Sequence, residues 1–158
     1  MLQWQGAADF DNSLMSGGSV ETDYDVICQC EEGVTVIERY DRDMLVLQDD
    51  EWAACFAPSD TGKVIVVQWF GSDSELSELV SRLTAAPPSK TETFTVRDTT
   101  LRLLVGADDG SGEMYGFSEA EVVPGKRVCE VYYSDEAQVV VLRPAEPGDS
   151  ELQVTLEH

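Results

Sequence analysis

Lys63-Val64-Ile65-Val66-Val67-Gln68-Trp69 is a β-branched run, and just beyond it Ser72-Asp73-Ser74-Glu75-Leu76-Ser77-Glu78-Leu79-Val80-Ser81-Arg82-Leu83-Thr84-Ala85 changes period. Branched side chains are stiff at χ1 and fit a pleated surface, so the first stretch predicts a strand. In the second, Leu76, Leu79, Val80 and Leu83 recur at i, i+3, i+4 and i+7 and share one face of an amphipathic helix. Ser72, Asp73 or Ser74 can cap its start. Asp73, Glu75 and Glu78 suit the positive end of its dipole, and Pro87-Pro88 stops it. This is the only helix that the pattern predicts.

Towards the N-terminus, short strand candidates alternate with turns. Residues 1–22 read as an irregular entry. Tyr24 to Cys30 and Val34 to Arg39 flank Glu31-Glu32-Gly33, which predicts a hairpin between them. Asp41-Arg42-Asp43 is a turn before Met44-Leu45-Val46-Leu47, and Asp49-Asp50 is another before Trp52 to Phe56. Pro58 to Gly62 forms the turn into the strand at Lys63. Beyond Pro87-Pro88-Ser89-Lys90 the pattern is β again: Thr93 to Arg97, Thr100 to Val105, Ala120 to Val123, Lys126 to Tyr133 and Gln138 to Arg143. Gly106 to Gly116 is a loop, and Pro124-Gly125 a tight turn. The expected fold is α+β, mostly antiparallel β meanders in two halves with one amphipathic helix. The halves are residues 1–86, with the helix at 72–85, and 91–143, packed together as one globular unit. Residues 144–158 read as a frayed acidic tail, and Leu156-Glu157-His158 as the remnant of an expression tag.

Composition narrows the function. Thirty-one acidic residues against ten basic ones give a net charge of −21, so nucleic acid and anionic membrane surfaces are expected to be repelled. The same field favours solubility and fast capture of a basic partner, although acidity can also serve solubility alone. No apolar run reaches membrane-spanning length, and Met1-Leu2-Gln3-Trp4-Gln5 has no signal-peptide character. The expectation is therefore a cytoplasmic protein. Cys28, Cys30, Cys55 and Cys129 each sit in an apolar, strand-like segment, which predicts buried free thiols. Cys28-x-Cys30 would share one strand face, too close in sequence for a zinc knuckle.

The inventory of chemistry argues against an enzyme. With His158 assigned to the tag, no histidine is left for a nucleophilic triad or an imidazole metal site. Asp108-Asp109-Gly110-Ser111-Gly112-Glu113 lacks the alternating ligand spacing of an EF-hand and reads as a solvated loop. Ser16-Gly17-Gly18-Ser19 lacks the lysine and the strand–helix setting of a phosphate loop. No metal or cofactor is expected. Carboxylates are too numerous for spacing to single out a catalytic pair. Trp52 and Trp69 read as core residues, and Arg39, Arg42 and Arg97 as partners of local acids.

Several segments taken together resemble the Immunity protein 21 family of bacterial polymorphic toxin systems. They are Asp23-Tyr24-Asp25-Val26-Ile27-Cys28, Met44-Leu45-Val46-Leu47-Gln48-Asp49-Asp50, and Gln68-Trp69-Phe70 leading into Ser72-Asp73-Ser74-Glu75. Leu101 to Gly112 and Pro124-Gly125-Lys126-Arg127-Val128 complete the set. The resemblance implies a cytoplasmic antitoxin that neutralises a cognate toxin domain, with no catalytic residues to carry over. A basic toxin cleft could be occluded by an acidic surface. The expected partner-binding residues are Asp41, Asp43, Asp49, Asp50 and Glu51 with Trp52 as anchor, and secondly Asp108 and Asp109. The alternatives are a stand-alone β accessory module that binds a small ligand or protein subunit and, more remotely, an enzyme using carboxylates alone.

Overall fold

The computed structural model describes residues 23–30, 33–39, 41–48, 53–59, 62–69, 71–104 and 117–151. A short helix α1 (Asp23–Cys28) precedes strands β1 (Gly33–Arg39), β2 (Arg42–Gln48), β3 (Ala53–Ala57) and β4 (Val64–Trp69). A 3-10 turn (Asp73–Glu75) leads into helix α2 (Leu76–Thr84). Strands β5 (Lys90–Val96), β6 (Thr100–Leu104), β7 (Phe117–Glu121), β8 (Gly125–Tyr133) and β9 (Ala137–Pro144) follow, and a final 3-10 turn spans Pro147–Glu151. All strand pairs among the described residues are antiparallel, in keeping with an α+β fold of antiparallel strands.

The main sheet has the order β3-β4-β9-β8-β5, so strands from both sides of Pro87-Pro88 share it. Its centre is β9, where every residue from Ala137 to Leu142 is buried. That explains the unbroken run Val139-Val140-Val141-Leu142: a strand covered on both faces has no reason to alternate. In β4, Val64 and Val66 join a core cluster on one face, while Val67, Ile65 and Trp69 face the other way, towards Leu76 and Leu79 of α2. The predicted helix stripe is therefore the face that packs, with Leu76 and Leu79 buried and Val80 and Leu83 half-buried against the sheet.

Two separate hairpins, β1–β2 and β6–β7, cover the opposite face. β2 lies alongside edge strand β5, and β7 alongside the other edge, β3. The first hairpin docks through side chains instead of a backbone ladder. The Val34 amide donates to Tyr133 Oη (3.0 Å) and Lys90 Nζ to the Val34 carbonyl (2.9 Å). The Val36 amide donates to Glu92 Oε2 (3.1 Å), and the Thr95 amide to Asp43 Oδ2 (2.7 Å). These contacts satisfy backbone groups that an edge strand would otherwise leave open. Gly33 permits the closest approach. Its φ is +95°, and a Cβ there would lie 2.6 Å from Tyr133 Oη.

Four expectations are corrected. Tyr24 to Cys30 is not a strand: Asp23–Cys28 is helical, and β1 pairs instead with β2, just before which Asp41 takes φ 58°. The physical reason is edge availability. One edge of β1 is taken by β2 and the other meets Tyr133, Lys90 and Glu92, so the earlier segment has no ladder to join. Cys28 is consequently exposed, Cys30 and Cys55 are half-buried, and of the four free cysteines only Cys129 is buried as expected. No side-chain hydrogen bond caps α2; the chain enters it through the 3-10 turn, with Ser72 Oγ bonded to Ser74 Oγ at 3.0 Å. Finally, residues 144–151 are not frayed, for reasons given below. No helix among the described residues is long and apolar enough to cross a membrane.

Candidate protein-binding surface

Strand direction sorts the charged residues between the two ends of the sheet. At one end stand Ala53, Trp69, Ala137 and Tyr133, and Tyr133 holds Val34 at the start of β1 there. At the other end stand Ala57, Val64, Pro144, Gly125 and Val96, with the β1–β2 turn beside them through Asp43 and Thr95. Seven of the ten cationic residues belong to this second end: Arg39, Arg42, Lys63, Arg97, Lys126, Arg127 and Arg143.

Several of those cations are already committed. Arg42 pairs with Asp98, as expected of a partner to local acids. Arg127 is 5% exposed and donates to the backbone carbonyls of Gly62 (3.1 Å) and Val123 (3.0 Å), tying two turns together. Arg143 makes a bidentate pair with Asp149 (2.8 and 2.9 Å) and donates through Nε to Glu130 (2.7 Å), whose other oxygen accepts from Tyr132 Oη at 3.1 Å. The Glu146 amide also donates to Asp149, at 2.6 Å. This network pins the chain after β9, because paired, directional contacts to one guanidinium hold a turn that composition alone reads as solvated.

Arg143, and after it the Glu146 amide, hold the Asp149 carboxyl down at about 2. A depressed carboxyl stabilises the fold above its unfolded value, near 4, and loses that contribution as pH falls through the folded value. The turn at Pro147–Glu151 is thus expected to open between about pH 4 and 2, followed by the Glu146 amide resonance. A midpoint at the ordinary carboxylate value, or a titration unchanged in Asp149→Asn, would contradict this.

At the first end the balance is different. The described cations are Arg82, paired with Glu136, and Lys90, paired with Glu92 at 2.9 Å. Asp135 and Glu136 are exposed in the β8–β9 turn. Of the residues expected to bind a partner, Asp41 is exposed but lies at the cation-bearing end. Asp43 already accepts from Thr95. Asp49, Asp50, Glu51 and Trp52 lie outside the described residues. Their anchors, Gln48 opposite Gly33 and Ala53 opposite Trp69, both belong to the first end. Asp108 and Asp109 also lie outside the described residues. Trp69 is half-buried against the helix-side cluster.

Sequence reasoning missed the polar row that crosses this end. Ala54, Gln68, Gln138 and Tyr133 are register partners in succession, so they share the sheet face turned towards the hairpins. Gln68 and Gln138 are each 4% exposed; Gln138 Nε2 donates to Gln68 Oε1 at 3.0 Å, while Gln138 Oε1 lacks a donor. The signal was present as one glutamine at the end of one valine-rich run and one at the start of another. Gln68→Leu is expected to cost about 1–3 kcal/mol, since it strands the Gln138 amide, and the Gln68→Leu/Gln138→Leu double variant to recover part of that loss. Denaturant melts would test it; a double variant worse than the sum of the singles would refute it.

Burial above all, and Glu92 after it, push Cys129 up to about 12, and burial then Cys28 push Cys30 up. Among the described residues no group of three or more His, Cys, Asp and Glu is placed to hold a metal ion. The chain matches no protein-family model, and comparison with curated proteins and with solved structures gives no match either.

Proposed function

We propose that the protein is an immunity protein that binds a cognate bacterial toxin domain with a basic surface and neutralises it by stoichiometric occlusion. The observation that carries this reading is the arrangement of charge. A chain of net charge −21 has seven of its ten cations at one end of its sheet, leaving the other end weakly compensated. Such asymmetry makes a directed field that steers a cationic partner to one end, which raises association rates and selects orientation. The segment resemblance to an immunity family supports the same reading.

The test is to sequence the genes beside this one and to co-express the protein with the C-terminal domain of any secreted toxin found there. The expected result is restored growth and a one-to-one complex that weakens with ionic strength. No rescue, together with no complex at micromolar concentration, would overturn the proposal.

A further inference from the structure

We draw no further inference here: the strongest candidate, the surface patch of exposed Lys63, Arg97 and Lys126 beside the buried Arg127 at the cation-bearing end of the sheet, carries nothing, because the unbonded Arg127 Nε is closed off from solvent and nothing in the structure shows what would cover the three exposed cations.

Discussion

Leu79→Ala is expected to lower stability by about 2–5 kcal/mol, whereas Ser81→Ala, two residues along the same helix, should change it by less than about 0.5 kcal/mol. Leu79 is 3% exposed and belongs to the cluster of Val67, Leu76, Tyr132, Val139 and Val141, while Ser81 is exposed. Truncation at Leu79 removes three carbon atoms from a face that the rigid central strand cannot follow inwards. The lost transfer energy is thus joined by the cost of a cavity. Urea melts of the two variants measure both costs. Comparable midpoints would mean that α2 does not pack on the sheet through this stripe.

Changing Asp49, Asp50 and Glu51 together to lysine shifts the charge by six units and should slow toxin association roughly 10–100-fold at low salt. The control must move the same charge elsewhere without breaking a contact. Glu146, Asp149 and Glu151 cannot serve, because Asp149 is held by Arg143. Glu38, Glu121 and Glu146 are exposed carboxylates without an ion pair among the described residues, at the cation-bearing end. Their reversal should slow association much less. Stopped-flow rates at several ionic strengths separate the outcomes, since the difference between the triples should shrink as the Debye length falls. Equal slowing by both would remove the directional field, and a salt-independent rate would remove steering altogether.

Legibility followed range. The strand at 64–69, the helix that follows it and the later strands at 100–104, 125–133 and 137–144 could all be read from periods within one element. The segment at 24–30 could not, because its apolar residues satisfy either period and the deciding fact was the occupied edge of β1, set by Tyr133, Lys90 and Glu92. Asp149 was misread similarly: an acidic residue near a chain end looks solvated until its arginine, at the end of β9, is known.

The sequence by itself determined the α+β class, the buried stripe of the amphipathic helix and the excess of acid. Periodicity and composition are local or additive and need no knowledge of partners. Only the tertiary structure decided that β9 lies between β4 and β8, that Gln68 meets Gln138, and that Tyr133 closes over Gly33. It also decided that seven cations gather at one end. Antiparallel pairing joins residues far apart in the chain, and register settles which side chains share a face and which strand ends share a surface. That choice is made by the whole core at once, where burying one set of faces excludes the alternatives.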